Sequence, residues 1–312
     1  MHKDCNISVV IPLFNEQENI PILTDRLNNL FANNKEYNAE VVFVDDGSTD
    51  QSLETIRRLE HNSYKVKIIK LARNFGSHAA LRAGIYYSSA PIVMFLPADM
   101  QDPPELLNIF YERLMHGFNV VWGYRSSIKT GFTDKIFSTL YSILMKRFTT
   151  PNYPKVGLDL VIFDDKVKKE LNLQVEANSS IFLQVLIMGF QQDFIPYERS
   201  GRNAGKSKWT LSKKTKLFID SFVAFSYAPV RLVTFTGITI SVLGFIWLTH
   251  IIFRTLIFGD LDPGWPSMIG ILLIGFGITN ISLGIIAEYL WRTLDASRKR
   301  KVFIVDDVIE IN

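Results

Sequence analysis

Two long uncharged stretches near the C-terminus constrain this chain more than any other feature. Leu232–Phe253, 22 residues, and Pro263–Ala287, 25 residues, contain no Asp, Glu, Lys or Arg. A helix needs roughly 20 apolar residues to cross a bilayer core, so each stretch is long enough to span. Only the segment 254–262 separates them, which leaves little to cover both on all sides. The expectation is a membrane hairpin of two helices. Lys206, Lys208, Lys213, Lys214 and Lys216 precede the first stretch, and Arg292, Arg298, Lys299, Arg300 and Lys301 follow the second. The connector 259–264 carries no Lys or Arg. Positive charge gathers on the cytoplasmic side of membrane helices. The chain therefore reads as a multi-pass protein of the inner (plasma) membrane, with its large N-terminal part in the cytoplasm.

The first six residues lack the apolar run of a signal peptide. A single cysteine, Cys5, excludes an internal disulfide framework and a cysteine-built zinc site. The net charge of +3 is placed beside the apolar stretches, and no nucleic-acid partner is expected.

The first 125 residues alternate short β-branched runs with helical patterns. Ile7–Ile11, Val41–Val44, Val66–Ile69 and Ile92–Leu96 read as strands; Glu16–Phe31, Gln51–His61 and His78–Ser88 read as helices. Such alternation specifies βαβ units and a mostly parallel sheet, an α/β fold. Ligands of these sheets bind beyond the carboxyl ends of the strands, and each strand here ends in a polar cluster. These are Asn15-Glu16, Asp45-Asp46-Gly47-Ser48-Thr49-Asp50, Arg73-Asn74-Phe75-Gly76 and Asp99-Met100-Gln101-Asp102. Further on, a helix is expected near Asp134–Arg147, a turn at Pro151–Pro154, a strand near Leu160–Phe163 and a helix near Ser179–Met188. Trp209–Tyr227 mixes aromatics with lysines, as a helix lying in the headgroup region does; packing on the soluble domain is the alternative. The tail after Ala296 runs basic and then acidic, and is expected to be loosely ordered.

Asp45 or Asp46 is placed to accept hydrogen bonds from a nucleotide base or ribose; a well-capped strand-to-helix turn is the bland alternative. Asp99 and Gln101, two apart at a strand end, offer oxygen ligands to Mg²⁺ or Mn²⁺ shared with a diphosphate, and Asp102 suits a structural cap. Arg125, Arg199, Arg202 and Lys208 are the cations available to a second anion.

Val10–Glu16, Val44–Asp50, Arg73–Gly76, Ala98–Glu105, Gly123–Arg125 and Arg202–Trp209 stand in the order seen in glycosyltransferase family 2. They resemble its polyprenyl-phosphate branch, the dolichol-phosphate mannose synthases and bactoprenol glucosyltransferases, over nearly the whole chain. The resemblance implies a GT-A catalytic domain over residues 1–208. After it come an interfacial helix at 209–228, a two-helix transmembrane hairpin at 229–292 and a cytoplasmic tail at 293–312. It implies inverting transfer of glucose or a related hexose from a nucleotide-sugar, UDP-sugar favoured, to undecaprenyl or a similar phosphate. Self-association is left open. Pro12, Asn15, Glu16, Asp45, Asp46, Arg73 and Asp99 would bind the donor, and Asp99 and Gln101 the metal. Arg125, Arg202 and Lys208 would bind the acceptor phosphate; for Arg199 only position and charge speak. Asp159, in Gly157-Leu158-Asp159-Leu160, matches a family carboxylate near the reaction centre, beside the catalytic Asp99 and Arg125. The family commonly reads Asp-x-Asp-x-Gln in the metal loop, whereas Pro97 holds the first carboxylate position here. A catalytically inactive, membrane-tethered nucleotide-sugar binder would suit Pro97. A processive polysaccharide synthase would carry Gln-x-x-Arg-Trp, and Arg-Trp occurs nowhere in the chain.

Overall fold

A computed structural model of the chain describes residues 5–34, 36–126, 142–143, 146–147, 150, 153, 158–174, 180–198, 228–259, 264–298 and 300–311. The chain forms two compact units, Met1–Ser221 with Lys301–Asn312, and Phe222–Arg300.

The first unit carries the expected βα alternation. Strands β1 (Ile7–Leu13), β2 (Ala39–Asp45), β3 (Lys65–Leu71) and β4 (Ile92–Phe95) alternate with helices α1 (Ile20–Asn33), α2 (Ser52–Arg58) and α3 (Ser77–Tyr87). Sheets covered on both faces need strands that are apolar throughout, and every residue of β2 is buried. Then follow α4 (Leu106–Met115), β5 (Val120–Arg125), β6 (Leu158–Phe163), α5 (Asp165–Leu173), α6 (Ile181–Ile187) and β7 (Gln192–Tyr197). The strand and helix expected near 160 and 180 are β6 and α6. The expected turn at 151–154 and helices at 134–147 and 209–228 fall almost wholly outside the described residues.

One sheet of eight strands runs in the order β7-β5-β6-β4-β1-β2-β3-β8, where β8 is Val305–Ile311. β1 lies parallel to β2 and β4, β2 to β3, and β5 to β7. β6 runs antiparallel to β4 and β5, and β8 antiparallel to β3. The sheet is therefore mixed, around a four-stranded parallel centre. The tail after Ala296 departs from expectation, because its last residues are the strand β8. Its acidic side chains meet the lysines of β3: Lys70 Nζ lies 2.6 Å from Asp306 and Lys67 Nζ 3.3 Å from Glu310.

The strands' amino ends close on themselves. Glu40 accepts from Ser8 Oγ and from Ser89 Oγ, the latter at 2.6 Å, while Lys168 Nζ donates to the carbonyls of Ser88 and Ala90 at 2.8 Å each. In the second unit α7 (Ala228–Phe258) and α8 (Trp265–Ser297) pack on one another. They contain stretches, Val233–Ile257 and Ile274–Asp295, long and apolar enough to cross a membrane. Their apolar side chains face outward, Phe245 being 71% and Leu256 80% exposed.

Helix α3 sits so close to the sheet that a Cβ on Gly84 would lie 2.2 Å from Val10 Cγ1 and 3.1 Å from Val44 Cγ2. Both valines are fully buried and cannot step aside. Alanine gains roughly 1 kcal/mol of helix propensity, but overpacking a core costs about 1–3 kcal/mol. Gly84→Ala is thus expected to lower the melting temperature of the purified protein; a rise would mean that propensity outweighs the clash.

Candidate active site

A sheet whose strand order reverses between β1 and β4 leaves a crevice beyond the carboxyl ends of those two strands. Two prolines shape it. Leu96 N donates to Val10 O at 3.0 Å, the last main-chain bond from the end of β4 to β1. Pro12 has the parity of Val10, so its missing N–H faces the side where β4 has already stopped, and no ladder bond is lost. Pro97 likewise has no N–H to offer, and the chain turns away.

The loops that follow β1, β2 and β3 are fastened together. Asn15 adopts a left-handed backbone, φ +54°, which asparagine tolerates. Its N–H donates to Ser48 Oγ at 2.9 Å, and its Oδ1 accepts from Thr49 N at 2.8 Å. Glu16 N donates to Ser52 Oγ at 2.9 Å. Asp45 and Asp46 are both buried at the end of β2. Asp45 Oδ1 accepts from Ser48 N at 3.0 Å; Asp46 accepts from Phe75 N at 2.7 Å and Gly76 N at 2.9 Å. Burial pushes the Asp46 carboxyl up, against the pull of those two N–H groups. Gly47 has φ +73°, and a Cβ there would meet the Arg73 carbonyl carbon at 2.7 Å. Arg73 in turn holds its guanidinium over the Phe75 ring at 4.2 Å.

The fourth loop turns tightly beyond β4. Asp99 Oδ1 accepts from Gln101 N at 3.3 Å, and Met100 between them has φ +60°. Asn15 and Met100 are the two non-glycine residues with such backbone among those described, and both lie at this edge. Asp102 is buried and accepts from Tyr197 Oη at 2.6 Å, so the end of β7 braces the metal-loop candidate. Sequence reasoning missed Tyr197 because 95 residues separate the pair. Among the described residues no group of three or more His, Cys, Asp and Glu could cage an ion. One carboxylate and one amide oxygen instead fit a hard cation whose remaining ligands come from a diphosphate.

Arg125 closes β5, which is parallel to β7 and points the same way as β4, so it reaches the same edge. β6 starts at that edge, and its register with β5 skips Asp159: Gly123 faces Leu160 and Tyr124 faces Leu158. A bulge of this kind re-aims a side chain and recurs near active sites. The four loops, Arg125 and the Asp159 position thus share one sheet edge. Arg199, Arg202 and Lys208 lie outside the described residues.

The family model described as Glycosyl transferase family 2 matches residues 8–168. The chain is 34% identical to the uncharacterized glycosyltransferase YkcC of Bacillus subtilis (strain 168), over 98% of this chain and 94% of that protein. It is 30% identical to the prophage bactoprenol glucosyl transferase homolog of Escherichia coli (strain K12), over 97% of this chain and 99% of the other. It is also 30% identical to the bactoprenol glucosyl transferase of Shigella phage SfV, over 96% and 97% respectively. Among solved structures, glucosyl-3-phosphoglycerate synthase from Mycobacterium tuberculosis superposes with a TM-score of 0.48 at 17% identity, covering 70% of this chain and 76% of that one.

His78, at the start of α3, packs edge-on against Phe182 with ring centroids 5.8 Å apart, and its Nδ1 is buried without a hydrogen-bond partner. Burial, and then the charge of Arg82, push its imidazole down from 6.5 to about 4. Between those values the unfolded chain takes up a proton that the folded one refuses, so stability falls as pH drops through that window. Melts at pH 7 and pH 5 are expected to show a loss of up to about 2 kcal/mol from this group. His78→Asn should remove that part of the pH dependence; an unchanged dependence would assign it to other groups.

Proposed function

The chain belongs to glycosyl transferase family 2, and from that membership we propose that it transfers a hexose, glucose or a close relative, from a nucleotide-sugar to polyprenyl phosphate. The donor is a UDP-sugar, the anomeric centre inverts, and the product supplies lipid-linked sugar for envelope glycans. One observation carries the reading. Asn15, Asp45, Asp46, Arg73, Asp99, Arg125 and Asp159 converge on one sheet edge in a chain alike, almost end to end, to bactoprenol glucosyl transferases.

The acceptor's chemistry sets what the protein must supply. A monoalkyl phosphate has its second pKa near about 6 and is largely dianionic at neutral pH, so no strong general base is required. The task is to neutralise two anions brought together. On the donor side Asp45 and Asp46 hold the nucleoside against the fastened loops, with Pro12, Asn15, Glu16 and Arg73 around it. Asp99 and Gln101 would hold Mg²⁺ or Mn²⁺, which supplies positive charge to the leaving diphosphate. On the acceptor side Arg125 and the segment with Arg199, Arg202 and Lys208 receive the lipid phosphate. β7 supports that division, because it ends at this edge and runs directly into that segment. Asp159 lies near the reacting carbon. In this reading 1–208 is the cytoplasmic catalytic domain, 209–228 lies at the membrane surface, 229–292 spans the inner membrane twice, and 293–312 returns to the cytoplasm.

Purified protein with undecaprenyl phosphate and a panel of UDP- and GDP-sugars tests the whole reading. No transfer with any donor that binds would favour the inactive binder that Pro97 suits. Asp99→Asn is expected to abolish transfer with an unchanged melting temperature; full activity of that variant in excess EDTA would remove the metal from the scheme. Charge-assisted contacts to phosphate are worth about 1.5–3 kcal/mol, so Arg202→Ala should raise the polyprenyl-phosphate requirement roughly ten- to a hundredfold. Nucleotide-sugar binding should not change. A fall in donor affinity instead would assign that segment to the diphosphate.

A further inference from the structure

The outer face of α3 carries exposed apolar side chains where the segment before β8 meets it. Tyr86 is 61% exposed, yet its ring packs on Tyr87 with centroids 5.2 Å apart and on Phe303 at 6.4 Å. Ile304, the next residue, is 52% exposed. Its carbonyl accepts from Ala72 N at 2.9 Å, which pins the segment beside the loop carrying Arg73. Lys301, just before it, is exposed, and the sequence leading to it is the basic run 298–300.

Chain length adds a second, independent constraint. Helix α8 ends at Ser297, so residues 298–302 are all that separate it from Phe303. Six Cα steps reach no farther than about 20 Å. If α8 crosses a membrane, Phe303 and Ile304 follow its end within that length of chain. Tyrosine favours that depth, with an apolar body and a hydroxyl that stays wet. Lysine and arginine there favour anionic headgroups.

We propose that Tyr86, Phe303 and Ile304, with Lys301, form a shelf that rests on an anionic lipid surface. The inference deepens the membrane reading given above and rests on it. The shelf fixes the height of the catalytic domain at two points of the fold, α3 and the segment before β8. Through the Ile304–Ala72 bond it holds the Arg73 loop near headgroup depth. An acceptor whose phosphate sits among headgroups then needs no further lift to meet the donor.

Cys5 is the sole cysteine, so a Cys5→Ser background allows single nitroxide labels on the full chain in phosphatidylethanolamine–phosphatidylglycerol vesicles. Labels at Tyr86→Cys and Ile304→Cys are expected to collide severalfold more with oxygen, relative to a water-soluble nickel chelate, than a label at Met115→Cys. Met115 is 57% exposed on α4, which packs on the other face of the sheet. Replacing phosphatidylglycerol by phosphatidylcholine should lower that preference; an unchanged preference overturns the anionic partner. A label at Phe245→Cys reports on α7. Oxygen preference at 245 with water-like values at 86 and 304 overturns the shelf and leaves the spans intact. Water-like values at 245 overturn the spans, and the shelf with them. Shielding of 86 and 304 from both reagents would show that protein covers this face, which also overturns the proposal.

Discussion

At the end of β2 the chain buries two adjacent carboxylates, and neither can stay there without donors. Leaving a buried polar group unpaired costs about 1–3 kcal/mol, and more when it is charged. Asp46 finds its donors in the main chain of Phe75 and Gly76, and Asp45 in that of Ser48. These bonds decide where the loop after β3 runs, and Gly47 lets it approach because no Cβ would fit against Arg73. Asn15 then ties the loop after β1 to Ser48 and Thr49. Three loops are therefore fixed relative to one another before any ligand arrives. Fixed loops bind more tightly, since little ordering remains to be done on association.

The same edge carries the fold's few local irregularities, which have one physical reason in common. A crevice opens only where a strand stops pairing while its neighbour continues, and Pro12 and Pro97 let β1 and β4 part there without an orphaned N–H. Asn15 and Met100 take left-handed backbone just beyond the strands, and the β5/β6 register skips Asp159. Strain of this sort persists only where surrounding bonds over-determine it. The bonds of Asn15 to Ser48 and Thr49, and of Asp102 to Tyr197, are of that kind.

Much of this was legible in the sequence, because local patterns specify it. β1 to β4 are β-branched runs bounded by turn residues, and the polar clusters follow them directly. Long-range pairing was not legible. Tyr197, at the end of β7, reaches Asp102 beyond β4 with two strands between them in the sheet, and nothing near either residue announces the other. β7 alternates weakly and carries Pro196, which its edge position tolerates. The last residues read as an acidic tail because their partner, the lysine-bearing edge of β3, lies more than 230 positions earlier. Asp46 illustrates a subtler gap. Its place at the end of β2 could be read, but its engagement with the main-chain donors at Phe75 and Gly76 depends on how β3 ends.

The two edge strands give the architecture its last constraint. β7 and β8 are the outermost strands of the sheet, and each is joined through the chain to one of the apolar helices. β7 ends where the carboxyl ends of the parallel strands lie. β8 begins there too, since it runs antiparallel to β3 and pairs Val305 with Leu71. Both connections therefore leave from the edge that carries Asp46, Asp99 and Arg125. A fold that only had to carry apolar helices could attach them at either end of its strands. Here both attachments are made at the end that carries those residues.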